Sequence, residues 1–353
     1  MHFRRILAVA TLVYCMVACL GIAQAKPQKW ELTFTSVYQN KHYMWANCIL
    51  PWLEEVKKAT NGRVVIHYYA PGTLCPDADL YDSVVNGSVD MGCTMTTRNP
   101  GKFPYTSAID EPMIVPSAAV GSVTLWNLYK DTPEIQNEFR ETKVLTLYTS
   151  VPMQAITSKP LTSIKELKGK KMIITAAGSN DMSKELGATP LMMGWPDVYL
   201  SLERGMADGI FAPLAQVRSN KISEPCHYTY LANLRVSSMY IVMNKDLWES
   251  FPDDIKATLE KMTGESLSRA MGKSLDEGTI EDGELMVKAG HKFYVPSEEE
   301  LAEWTNALVP LRETWIKNME EKGFAEARKI MERSIEYGQK YAKEIPERGY
   351  MGK

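Results

Sequence analysis

Trp30-Glu31-Leu32-Thr33-Phe34-Thr35 alternates apolar and polar residues with the period of a half-buried strand, and the residues from here to Thr94 decide the fold. Trp45, Ile49, Trp52, Leu53 and Val56 then fall on one helical face, with the charges between Glu54 and Lys58 on the other. Asn61-Gly62 closes that helix, because glycine enters the left-handed conformation at a helix end without steric cost. Val64-Val65-Ile66-His67-Tyr68-Tyr69 predicts a second strand. Pro76-Asp77 opens a helix carrying Leu80, Val84 and Val85 that ends at Gly87, and Asp90-Met91-Gly92-Cys93-Thr94 is a third strand. Strands separated by helical crossovers are the signature of a parallel sheet with helices on its faces.

The pattern restarts downstream. Val144–Tyr148 and Ala155–Ser158 read as strands, Ile164–Lys168 as a short helical turn and Lys171–Thr175 as a strand. Helices are expected around Asp181–Leu186 and Pro196–Arg204, the second with proline near its favoured first position. Ile210-Phe211 and Tyr240-Ile241-Val242-Met243 are further strands, and from Pro252 the chain is mainly helical. Ser297-x-x-Glu300 is a capping box ahead of a core stripe of Leu301, Trp304, Leu308, Leu311 and Trp315. The helix from Glu326 to Ile345 is rich in charge and reads as a solvated surface element. Two α/β halves without a flexible linker predict domains that exchange strands across a hinge, with a ligand crevice at the carboxyl ends of the strands.

The chain ends and its composition bound the function. Arg4-Arg5, an apolar run from Ile6 to about Ala23 and the site Ala23-Gln24-Ala25 predict a secretory signal peptide over residues 1–25 and a periplasmic mature protein. Cys19 is a weak match to a lipoprotein cleavage site. The 353-residue chain carries a formal charge of −3, and losing Arg4 and Arg5 makes the mature part more acidic still. That balance argues against nucleic acid or an anionic membrane surface as partner. Cys48, Cys75, Cys93 and Cys226 allow at most one disulfide by this reading, with the pairing left open, and they lack metal-ligand spacing.

Catalytic patterns do not emerge. His42, His67, His227 and His291 are scattered; no zinc motif, nucleophile elbow, phosphate loop or dinucleotide fingerprint is present, and neither a cofactor nor a metal is expected. Asp208, between a turn and a strand, is assigned to local backbone hydrogen bonding. An exported α/β enzyme using Asp110 and Glu111, or a sensor's binding protein, is the alternative to a transport receptor.

Several blocks carry a family resemblance. Thr60-Asn61-Gly62-Arg63-Val64, Gly72-Thr73-Leu74, Val84–Met91, Leu167-Lys168-Gly169-Lys170-Lys171-Met172, Leu186–Met192, Asp197–Gly209 and Val242-Met243-Asn244-Lys245 with Trp248 and Pro252 resemble, in order, the solute receptors of tripartite ATP-independent periplasmic (TRAP) transporters, the DctP family. The resemblance implies a two-domain clamshell of the periplasmic-binding-protein type, with strands crossing the hinge and a long connecting helix. The expected division is residues 26–150 plus about 239–278 for domain I, 151–238 plus about 279–331 for domain II, and a C-terminal helical extension over 332–353. It implies a monomer that delivers a small organic solute to a small and a large membrane subunit.

One departure from the family pattern bears on the ligand. The family's carboxylate-binding arginine, after the L-K-G-x-K motif, corresponds to Ile173, and Ile210-Phe211-Ala212 replaces the polar residues that follow Asp-Gly in acid binders. An arginine fork gives a carboxylate two parallel charge-assisted hydrogen bonds. Its loss makes a C4-dicarboxylate an unexpected ligand and leaves two alternatives. Arg98, Arg218 or Arg235 takes over, or the ligand is monovalent, neutral, cationic or aromatic. The residues expected at the ligand are Tyr38, Gln39, Leu74, Thr94, Arg98, Gln154, Ile173, Trp195, Phe211 and Ser237, with Tyr105 as a further aromatic.

Overall fold

The computed structural model describes residues 28–40 and 42–346. The signal-peptide reading, Cys19 and the last seven residues lie outside them. Strand β1 (Trp30–Ser36) is flanked by β2 (Val64–Tyr69) and β3 (Met91–Met95), both parallel to it, as the alternating first segment predicts. The chain then forms β4 (Thr142–Thr149), β5 (Met153–Thr157), β6 (Lys171–Ile174), β7 (Thr189–Met192), β8 (Gly209–Pro213), β9 (Tyr228–Tyr230), β10 (Ser238–Asn244) and β11 (Lys292–Tyr294). The first sheet has the order β2-β1-β3-β10-β4 and the second β11-β9-β5-β8-β6-β7.

Sheet membership shows how the lobes are joined. β4 belongs to the first sheet and β5 to the second, only Ser150–Pro152 apart; β9 belongs to the second and β10 to the first. The two crossings run antiparallel and are tied together. Ser150 N donates to Ser237 O at 2.9 Å, Ser237 N to Ser150 Oγ at 2.9 Å, Met153 N to Arg235 O at 2.8 Å and Leu234 N to Met153 O at 2.9 Å. Two helices cross as well. Helix Glu265–Lys288 buries Leu267, Met271 and Leu275 in the first lobe and Met286 in the second. Helix Glu298–Glu321, begun by the expected Ser297/Glu300 capping box, buries Trp304 and Leu308 in the second lobe and Ile316 in the first.

In each sheet the central strands are covered on both faces, so β5, β8 and β10 are buried along nearly their whole length, whereas the edge strands β2 and β7 are partly exposed. On the first, Leu32, Phe34, Met239 and Ile241 face one core, and Leu147, Tyr240 and Val242 the other. On the second, Ala155, Met172, Ile174 and Phe211 face one core, and Ile156, Ile173, Ile210 and Ala212 the other.

Several elements depart from the sequence reading, among them β7, β9 and β11, to which it assigned no strand. Helix Ala118–Asp131, in a stretch where the reading assigns no element, is buried on most of its circumference and so lacks the polar stripe that marks an amphipathic helix. Helix Ala327–Glu344 is not merely a solvated rod: Ile330, Met331, Ser334, Gly338 and Tyr341 are buried, and its apolar members join the first lobe's core. Its charges occupy the opposite face. Cys48, Cys75, Cys93 and Cys226 are all free.

Candidate functional site

The register of the two sheets places the carboxyl ends of their parallel strands toward each other. Ser238↔Thr149 and Met239↔Met95 put the ends of β3 and β4 together in the first sheet. Met153↔Pro213 and Ile173↔Ile210 do the same for β8 and β6 in the second. Because only Ser150–Pro152 separates Thr149 from Met153, these two ends bound a crevice at the crossings, where open α/β folds bind ligands.

Next to the carboxyl ends of the first sheet's strands lies a buried cluster rich in aromatic rings and hydroxyls. Tyr38, just after β1, has its hydroxyl 3.2 Å from that of Tyr148 and 3.6 Å from Met239 Sδ, and the Tyr148 hydroxyl is 3.0 Å from Cys93 Sγ. Tyr68 donates to the Tyr38 carbonyl and lies 2.8 Å from Ser36 Oγ. The His42 ring sits 4.9 Å from Tyr38 and 4.4 Å from Tyr43, while Trp45 packs 4.0 Å from Tyr68. Burial pushes the Tyr38 and Tyr148 phenols well up, so both remain protonated, and burial lowers His42, which favours the neutral ring. A π-helical turn, Trp45–Ile49, leads into helix Leu50–Ala59. Such turns recur at functional sites, and this one follows directly on His42 and Tyr43.

The expected ligand residues divide into three groups. Ile173 and Phe211 offer no surface to a solute: both are buried strand residues, Ile173 with Val198 and Leu202, Phe211 with Leu167 and Trp304. Both were expected at the ligand; here they lie on the sheet's two covered faces, as the alternation of a strand dictates. Gln154 and Thr94 are also buried and consumed locally. Gln154 donates to Asn233 Oδ1 at 2.7 Å and accepts from Asn233 N at 2.9 Å; Thr94 donates to Asp77 at 2.5 Å. Leu74 and Tyr105 pack against the first lobe's core, Tyr105 edge-on to Phe324. Tyr38 is buried in the first lobe's core, Gln39 just after it is exposed, Trp195 is half-buried against the second lobe's core, and Ser237 lies on the crossing. Asp208 keeps the backbone role assigned to it, accepting from Lys171 N at 2.8 Å.

The three arginines separate sharply. Arg98 pairs with Asp77 at 2.8 Å and Arg218 with Asp282 at 2.6 Å. Arg235, on the β9–β10 crossing, donates instead to the Gly178 carbonyl in the loop after β6, and among the described residues it has no carboxylate within ion-pair distance. Nearby, Asp110 accepts from Ser238 N at 2.5 Å and from its hydroxyl at 3.2 Å. Burial raises Asp110 to about 6 and half-buried Glu111 to about 7, in each case opposed by Arg235. Sequence reasoning named Arg235 only as one of three and gave Glu111 no binding role; the crossing has no periodicity that would single either out. Among the described residues no cluster of side chains suits a metal ion, and no helix is long and apolar enough to cross a membrane.

Two α/β lobes, paired crossing strands, a long bridging helix and a crevice at the strand ends define a clamshell solute-binding protein. Residues 35–318 match the model of the bacterial extracellular solute-binding protein family 7, DctP, and the chain belongs to that family. It is a TRAP solute-binding receptor for a small organic solute, and receptors of this family work with TRAP membrane components. Members of the family are periplasmic. Over 92% of this chain and 95% of the relative it is 25% identical to the outer membrane transporter protein TsaT of Comamonas testosteroni. A TRAP periplasmic solute-binding protein of Desulfovibrio salexigens superposes with a TM-score of 0.81 at 27% identity, over 91% of this chain and 98% of that one. A TRAP solute-binding protein from an unidentified marine microbe, specific for aromatic acid ligands and solved with 3-hydroxybenzoate, gives 0.80 at 27% identity, over 89% and 99%.

Proposed function

We propose that the solute is a monovalent aromatic carboxylic acid, whose ring packs against half-buried Trp195 and whose carboxylate is met by Arg235. The observation that carries this reading is the arginine inventory. Position 173 is isoleucine, Arg98 and Arg218 are already paired with Asp77 and Asp282, and Arg235 alone of the three is without such a partner. One such guanidinium suits one carboxylate; a second carboxylate in this crevice would be desolvated without a matching fork. The half-buried Trp195 ring supplies flat apolar surface, and aromatic pairs contribute about 0.5–1.5 kcal/mol beyond area burial. The likeness to the marine aromatic-acid receptor supports the same class.

In this reading the chain binds its solute without turning it over. It is exported to the periplasm with cleavage near Ala25, acts as a monomer and passes the solute to a small and a large membrane subunit. The lobes are assigned to residues 26–150 with about 239–278, and to 151–238 with about 279–331, with 332–353 as a C-terminal extension; helix Ala327–Glu344 packs on the first lobe's core. Calorimetry with benzoate tests the anchor. Arg235→Ala is expected to weaken binding by about tenfold or more, the range of a lost charged hydrogen bond. Arg98→Ala and Arg218→Ala should change it little, and an unaffected Arg235→Ala would contradict the assignment.

A further inference from the structure

The segment Asp110–Met113 runs beside the crossing Leu234–Ser238. Met113 N donates to Leu234 O at 2.8 Å at one end, and Asp110 accepts from Ser238 N at the other. Glu111 and Arg235 thus lie on two paired segments, and the Arg235 charge acts on the Glu111 carboxyl. Arg312, from the helix that bridges the lobes, pins the segment from another side: its Nε donates to Pro112 O at 2.9 Å and its Nη2 to Met113 O at 2.6 Å. Met113 is held at φ 58°, a left-handed conformation that a bulky side chain adopts only under such constraint. Arg235 meanwhile reaches Gly178 in the opposite lobe.

A guanidinium engaged by one carboxylate has less to give another. We infer that Glu111 is a positioning residue for the binding site: ionised, it draws Arg235 toward the first lobe and away from the solute, and protonated, it releases Arg235 to the solute carboxylate. Solute affinity therefore rises on acidification. The inference rests on the reading of Arg235 as the anchor.

The charged groups facing Glu111 are Asp110 on its own segment, Arg235 on the crossing, Arg312 on helix Glu298–Glu321 and Asp181 on helix Asn180–Glu185. Loss of hydration is the largest influence and pushes the Glu111 carboxyl up to about 7; Arg235 and Arg312 oppose it, while Asp110 and Asp181 reinforce it. Glu111 is thus mostly ionised above that pH and mostly neutral below it. An ordinary carboxylic acid, with a pKa of about 4, stays ionised throughout this range, and His42, already lowered, gains little charge.

The test is calorimetry of the full mature chain with benzoate and with 3-hydroxybenzoate from pH 6 to pH 8.5. The wild type is expected to lose roughly three- to tenfold in affinity across that range, as a single titrating neighbour permits. Glu111→Gln is expected to be flat and at least as tight as the wild type at pH 6. Glu111→Asp, which keeps the charge, should retain a slope with a displaced midpoint, and it serves if the glutamine variant folds poorly. A flat wild-type profile, or a slope retained in Glu111→Gln, would overturn the inference alone. No binding of either acid at any pH would overturn the ligand reading beneath it.

Discussion

The ring of Tyr43 lies against Gly278 so closely that a β-carbon at position 278 would come within 2.3 Å of it. The contact locks the segment that follows β1 to the long helix bridging the lobes, and the Tyr43 hydroxyl adds a 3.3 Å hydrogen bond to Leu275 O. The atoms met include the ring carbon next to Cβ, so the clash cannot be relieved by swinging a flexible chain end. Glycine inside a helix costs about 1 kcal/mol relative to alanine, and overpacking costs about 1–3 kcal/mol. Gly278→Ala is therefore expected to be net destabilising, lowering the melting temperature by a few degrees. A higher melting temperature would show that the contact is loose.

Arg312→Met keeps the length of the side chain and removes both hydrogen bonds to the Pro112 and Met113 carbonyls. Each bond from a charged donor is worth about 1.5–3 kcal/mol. The variant should unfold at lower urea concentration than the wild type, and limited proteolysis should cut first between Asp110 and Ser117. Unchanged stability would mean that the clamp is idle in solution.

Glu138 and His291 have opposite pH signatures. Burial raises Glu138 to about 7 despite hydrogen bonds from Tyr105 N, Thr106 N and the Thr106 hydroxyl. A raised carboxyl contributes stability that is full below its unfolded value near 4.5 and is lost as the pH rises through about 7. Glu138→Gln should therefore lose its deficit against the wild type between pH 5 and pH 8. Burial lowers His291 to about 4, with Thr229 Oγ1 2.8 Å from its Nε2. Its contribution is present above about 6.5 and is lost as the pH falls toward 4, so the His291→Gln deficit should shrink on acidification. Melting curves of both variants across pH 4–8 check the two signs, and parallel curves would contradict them.

Ile173→Arg restores the family's usual residue. The structure places this position in a covered core with Val198, Leu202 and Ile210, so the variant buries an unpaired guanidinium. Loss of folded protein is expected, not a gain of succinate binding. A stable Ile173→Arg that bound succinate would show that the side chain faces the crevice.

Much of the architecture was legible because it rests on local periodicity. β1, β2 and β3, the Asn61-Gly62 helix end and the Ser297/Glu300 cap each follow from a few adjacent residues. Helix Ala118–Asp131 was not, because burial on most sides erases the alternation that signals a helix. The site was less legible than the fold. Tyr38, Ile173 and Phe211 were expected at the solute from loop and motif position, and all three are buried. Arg235 and Glu111 lie on segments joined by hydrogen bonds between Asp110–Met113 and Leu234–Ser238, a pairing of residues remote in sequence.

The central claim is that the crevice takes one carboxylate and a ring. A thermal-shift panel of benzoate, 3-hydroxybenzoate, succinate, malate and fumarate at equal concentration tests it directly, since a ligand held at 100 times its Kd stabilises by about 2.7 kcal/mol. The two aromatic monocarboxylates are predicted to give the largest upward shifts and the C4-dicarboxylates little or none. A largest shift from succinate, malate or fumarate would contradict the account.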